Sequence, residues 1–175
     1  MINDFNLLAT TARGNERAMI NEILYLLKEE LKDTEAHASK TKIRGLIVAK
    51  TNLDPIEAIE KLRSILAERP YEFRYALRIV PIQTVVASDL AEIKCATEKF
   101  AVKIGENQSF RVTIEKRFTE LHSKDLIEAA AGEIKGKVAL KKPDLILQIE
   151  VLGGLTGISL LKPTDILAVV KEKLL

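Results

Sequence analysis

The sequence predicts an α+β protein of two modules, and three observations predict it. The N-terminal half alternates strand-like and helix-like segments in the order β-α-β-β-α-β. Helix-start signals stand where that order needs them, Asp54-Pro55-x-Glu57 being the clearest. After Pro81 the pattern changes, which sets the boundary between a first domain over 1–81 and a second over 82–175.

In the first module, Phe5 to Ala12 is apolar and β-tolerant and ends near Gly14, which reads as a strand. Asn15 offers a helix cap, and Ile20, Ile23, Leu24, Leu27 and Leu31 follow at helical spacing. Residues 35–41 form a polar strand candidate, and Arg44 to Lys50 a stronger one. The helix opened by Asp54 carries Ile59, Leu62, Ile65 and Leu66 on one face and should stop before Pro70. Phe73 to Val80 reads as the closing strand, completing a ferredoxin-like unit.

In the second module, Leu90, Ile93, Phe100 and Ile104 line a helix ending near Gly105. Phe110 to Lys116 alternates as a strand should. Ser123 can cap a helix carrying Ile127, Ala130 and Ile134, closing at Gly136. Leu145 to Val151 and Ile158 to Leu161 are strands separated by Gly153, Gly154 and Gly157. Thr164 can cap a closing helix with Leu167, Val170 and Leu174. That helix could pack on the sheet, dock a partner or pair with another copy.

Composition narrows the function classes. The 175 residues hold 27 Lys and Arg against 25 Asp and Glu, so net charge alone does not mark a nucleic-acid binder. One cysteine, Cys95, and two histidines, His37 and His122, are too few for a disulfide framework or a typical structural zinc site. No apolar run reaches the length of a membrane span and no signal-peptide pattern opens the chain, which points to a cytoplasmic protein. Tryptophan is absent and aromatics are 5%, which disfavours wide base-stacking platforms.

None of the common nucleotide, nucleophile or metal motifs occurs. His122 lies between a strand and a helix, where a structural or neutral role is favoured over general-base chemistry. Cys95 reads as a partly buried, inert thiol. Gly153 and Gly154 suit a hairpin-like turn or a close approach to a phosphate. Asp54, Glu57 and Glu60 are accounted for by capping and solvation.

Charge becomes informative in the second half. Lys135, Lys137, Lys141 and Lys142 fall within eight residues that contain no acid. Arg111, Lys116 and Arg117 belong to or flank the 110–116 strand, with Arg111 and Lys116 facing opposite sides because their separation is odd. Lys99 and Lys103 are four apart and should share a helix face. A solvated lysine surface and a phosphate-binding patch both fit these positions.

The run Phe110-Arg111-Val112-Thr113-Ile114-Glu115-Lys116-Arg117, with His122 before a helix, resembles the first strand and basic exit of the THUMP family. Val138-Ala139-Leu140-Lys141-Lys142-Pro143-Asp144, leading into Leu145 to Val151, is similar to the family's valine, leucine and proline-aspartate lead-in to its central strands. The resemblance covers about residues 82–162, after a ferredoxin-like unit of the kind that commonly precedes it. It implies an α/β THUMP domain binding tRNA at its acceptor stem and 3′ end. It further implies a non-catalytic adaptor without a cofactor, not itself an enzyme, presenting tRNA to a partner tRNA cytidine acetyltransferase. The alternatives are an RNA-modifying enzyme whose site is unrecognised and a protein-interaction module. The implied RNA contacts are Arg111, Lys116, Arg117, Lys135, Lys137, Lys141 and Lys142, with Lys99, Lys103, His122, Gly153 and Gly154 as further candidates.

Overall fold

The computed structural model describes residues 1–174, so Leu175, the last residue of the expected second domain, lies outside the described residues. The chain forms two units, one of residues 1–82 with the segment from Asp165, the other of residues 83–164.

The first unit runs β1 (Leu7–Thr10), α1 (Glu16–Tyr25), a π-helical turn (Leu26–Glu30), β2 (His37–Lys40), β3 (Leu46–Lys50), α2 (Pro55–Glu68) and β4 (Arg78–Pro81). The second runs β5 (Thr84–Ala87), α3 (Leu90–Ala101), β6 (Ser109–Arg117), α4 (Ser123–Ala131), β7 (Lys137–Val138), β8 (Leu145–Leu152) and β9 (Leu155–Leu161). The chain ends in β10 (Leu167–Ala168) and α5 (Val169–Lys173), which belong to the first unit.

The first unit is built on an antiparallel sheet of order β10-β4-β1-β3-β2. Alternation selects the face turned to the helices: Leu7 and Ala9 stand in register with Ala49, Ile47 and Ile79, and all five join the core shared with α1 and α2, while Leu8, Val48 and Val80 are buried on the other face. α2 starts as its sequence requires, since the Asp54 carboxylate accepts the Glu57 N–H at 3.1 Å and Pro55 occupies the first turn. α1 differs from expectation, because Asn15 stands at the cap position without a side-chain cap bond.

Two expectations fail in this unit. The strand expected over 73–80 is confined to Arg78–Pro81. Phe73 is fully buried in the core but sits in a loop, held because the buried Glu22 carboxylate accepts the N–H groups of Arg74, Tyr75 and Ala76. Those amides are thereby satisfied without a sheet partner. The segment after Thr164 is not one capped helix of the second domain. Leu167 and Ala168 pair with Ile79 and Arg78, and only Val169–Lys173 is helical. Leu167 and Val169 are buried in the first unit's core, which fixes the segment there.

The second unit's sheet has the order β5-β9-β8-β6-β7, with β6 parallel to β7 and β8 and the other pairs antiparallel. Val112 and Ile114 stand in register with Leu147 and Ile149. That face packs on Ile93, Ala96 and Phe100 of α3 and Leu126 and Ala130 of α4. Asp89 caps α3 by accepting the Ala91 and Glu92 N–H groups at 3.0 and 3.1 Å. At α4 the expected Ser123 cap is displaced: His122 holds the cap position, with no side-chain bond, and Ser123 is the first helical residue. β5 had no counterpart in the sequence reading. Among the described residues no helix is long and apolar enough to cross a membrane.

Candidate nucleic-acid interface

Alternation along β6 sorts its cations. Arg111, Thr113 and Arg117 stand on the face opposite to Val112, Ile114 and Lys116. Arg111 is half-buried; its Nε donates to Thr113 Oγ1 at 3.1 Å and its Nη1 to the Leu140 carbonyl at 3.0 Å. The guanidinium therefore anchors the loop carrying Lys141 and Lys142.

A second tie fixes the same loop. The Asp144 carboxylate accepts the Ser109 N–H at 2.9 Å, and the Asp144 N–H donates to the Ser109 hydroxyl at 2.9 Å. Pro143 is buried beside it, so the Pro-Asp pair clamps the loop to the start of β6. Within the loop Lys142 adopts φ 50°, a left-handed conformation unusual for a side-chain-bearing residue. Lys137 pairs with Ser109 on the same sheet edge and so shares the face of Arg111.

Lys135, Lys137, Lys141 and Lys142 are all exposed, and their ammonium groups have no acceptor among the described residues. Val138 and Leu140 stand exposed between them, at 69% and 73%. An edge strand of two residues flanked by lysines also discourages edge-to-edge pairing, which gives these charges a second physical use.

The other expected contacts do not join this edge. Arg117 donates from Nη1 to Glu150 Oε2 at 2.6 Å, and Gln148 Nε2 donates to Glu150 Oε1 at 2.8 Å. Glu150 is fully buried, so the Arg117 charge is committed inside the unit. Lys116 lies on the helix side and donates to the Leu121 carbonyl at 3.1 Å, fixing the approach to α4. Lys99 and Lys103 line a groove beside β5, at the opposite edge of the sheet from β7. Lys103 lies beyond the end of α3, with its ammonium 5.6 Å from the Phe100 ring centroid.

His122 is exposed at the start of α4. Gly153, at φ 61°, turns the chain between β8 and β9, where its N–H donates to the Arg117 carbonyl at 2.8 Å. The Gly154 carbonyl accepts the Ser88 N–H at 2.9 Å. Both glycines therefore serve the hairpin. Cys95 is exposed, not partly buried as expected.

Sequence reading thus found the lysines but missed the groups that mount them. The Ser109–Asp144 exchange and the Arg111–Leu140 bond join residues 35 and 29 positions apart. A proline-aspartate pair after a basic run was the one signal available.

The class these features define is an α+β protein of two units, one carrying a cationic sheet edge. No family model and no curated protein matches the chain. Among solved structures it is similar to PH1313 from Pyrococcus horikoshii Ot3, with TM-score 0.62 and 22% identity, covering 91% of this chain and 54% of that one. TrmN from Thermus thermophilus gives TM-score 0.58 and 19% identity, covering 90% and 45%. A predicted N6-adenine-specific DNA methylase from Listeria monocytogenes str. 4b F2365 gives 0.50 and 15%, covering 89% and 40%. At these identities the likeness shows the fold, and the chain spans about half or less of each of those chains.

This finding corrects the reading of a non-catalytic adaptor and of a chain that is not an enzyme. The fold is shared with longer chains that include a predicted DNA methylase, so the stand-alone adaptor comparison loses its basis. These likenesses do not show an acetyltransferase partner.

Proposed function

We propose that this chain is the RNA-holding region of a tRNA-modifying enzyme, its first unit ferredoxin-like and its second a THUMP-like domain. The observation that carries the reading is the clamped basic loop: the ammonium groups of Lys135, Lys137, Lys141 and Lys142 have no partner among the described residues, while Arg111 and Asp144 hold the stretch that bears Lys141 and Lys142. Cations fixed in advance lose less freedom on meeting phosphates, so the edge grips a polyanion at low entropic cost. The fold shared with a predicted DNA methylase supports the enzyme side of the reading. An exposed, unpaired Cys95 suits the reducing cytoplasm in which such an enzyme would act.

Binding by phosphate contacts has a salt signature, because each contact releases condensed counterions. Fluorescence anisotropy with labelled tRNA across a salt series should give a log–log slope of roughly −0.7 to −0.9 per contact. The variant Lys137→Ala, Lys141→Ala, Lys142→Ala should lose roughly 2–3 units of that slope. If its slope and affinity match the parent's, the edge is a solubility device. Nucleoside mass spectrometry of tRNA from cells lacking the protein should show one modified nucleoside missing. An unchanged nucleoside profile would count against the enzyme reading.

A further inference from the structure

The first unit holds a second cationic site that the sequence reading did not single out. A cavity of about 430 Å³ opens where β1 ends, α1 starts and the β2–β3 turn passes. Arg13, Lys40, Lys42 and Arg44 line it, all four exposed and with no side-chain hydrogen bond or ion pair among the described residues; Lys40 acts on Glu16 through its charge alone. Its one acidic lining residue is Glu16, whose carboxylate accepts the Gly45 N–H at 2.7 Å. That main-chain bond holds the Glu16 carboxyl below its ordinary value, so the acid is engaged with the turn while four cations face solvent.

The turn bearing those cations is fixed from both sides. The Thr41 hydroxyl donates to the Leu46 carbonyl at 2.8 Å and accepts the Ile43 N–H at 3.1 Å. The Gly45 carbonyl accepts the Thr11 N–H at 2.9 Å. Antiparallel pairing brings Thr10 level with both Leu46 and Arg78, so this sheet end also carries Arg78. The opposite end carries Asp4, which pairs with Lys50 at 3.1 Å, and the acidic Asp33, Glu35 and Asp54.

We infer that this cavity is a second docking point for RNA backbone phosphates, resting on the reading of the chain as an RNA-holding region. The lining contains no aromatic ring and only Ile43 as a sizeable apolar group, so it offers no slot for a nucleobase. Four solvent-facing cations on a rigid turn fit the phosphodiester chain of a macromolecular RNA rather than a free nucleotide.

The test uses the full chain, labelled tRNA and a salt series. Lys42→Gln with Arg44→Gln should weaken binding several-fold and reduce the slope by roughly 1.4–1.8, two contacts' worth. Lys40→Gln with Lys42→Gln leaves Arg44 beside Gly45 untouched and should act in the same direction, which guards against a folding defect in the first pair. If both pairs melt like the parent and keep its affinity and slope, while Lys141→Gln with Lys142→Gln weakens binding, this inference fails and the proposed function stands. If the parent does not bind tRNA at all, both fall. Displacement of tRNA by ATP at matched ionic strength, from the parent but not from Lys42→Gln/Arg44→Gln, would make the cavity a nucleotide site and overturn the inference.

Discussion

Arg117 and Lys142 show how similar charges in one module come to different uses. Arg117 meets a fully buried carboxylate at 2.6 Å, and Gln148 occupies that carboxylate's other oxygen. Removing the guanidinium would take the cationic donor from a carboxylate held away from water, the costly way to break a buried pair. Arg117→Ala should therefore destabilise the protein by roughly 3–5 kcal/mol, read from the denaturant midpoint. Under conditions where the variant stays folded, the salt slope of tRNA binding should match the parent's. A lost phosphate contact with unchanged stability would reverse the assignment. Lys142 is the opposite case: exposed, unpaired and in a left-handed conformation that its side chain disfavours. Two charges from separate basic runs thus part ways because one meets a buried carboxylate on the neighbouring strand and the other sits on a clamped loop.

At the scale of elements, the junction between α1 and α2 is set by ionic hydrogen bonds. The π-helical turn after α1 brings Glu30 to Arg69, which donates to it at 3.0 and 2.6 Å, and the Tyr25 hydroxyl adds a third bond at 2.9 Å. Arg69, and after it Tyr25, holds the Glu30 carboxyl at about 2 against an ordinary 4.5. A carboxyl whose folded value lies below its unfolded one stabilises the fold above the unfolded value. That contribution is lost as pH falls from 4.5 towards about 2. Melting curves across this window should show the parent losing stability more steeply than Glu30→Gln, which lacks the titrating group. Equal slopes would mean that the pair contributes nothing. This junction was half legible: Pro70 announced the end of α2, but nothing in residues 26–30 announced a π-turn. β5 went unread for a related reason, since four residues two positions after another strand carry little periodic signal. Long amphipathic helices such as α2 and the nine-residue β6 were plain because many positions repeat the same pattern.

Across the whole molecule, the first unit is discontinuous in sequence, and that decides how it should fail. Residues 1–82 make most of it, but its sheet order β10-β4-β1-β3-β2 is completed by a segment that follows the second unit. The sequence reading assigned that segment to the second domain because chain order was its only guide, and a two-residue strand has no period to detect. Leu167 and Val169 are buried there, at 0% and 1% exposure. Burying two such side chains is worth roughly 3–6 kcal/mol, at about 1.5–3 each. Polar ties add to this: Arg63 Nε donates to Glu172 Oε1 at 2.6 Å, and Lys173 donates to the Phe73 carbonyl. Domains of this size hold about 5–15 kcal/mol in all, so the segment supplies a large share of the first unit's margin. A chain ending at Thr164 should therefore lose hydrogen-exchange protection in β1, β3 and β4. The amides of β6, β8 and β9 should keep theirs, because their pairings lie within residues 83–164. Full protection of β4 in the shortened chain would show that the unit closes without β10, and loss of protection in β8 would show that the two units do not unfold separately.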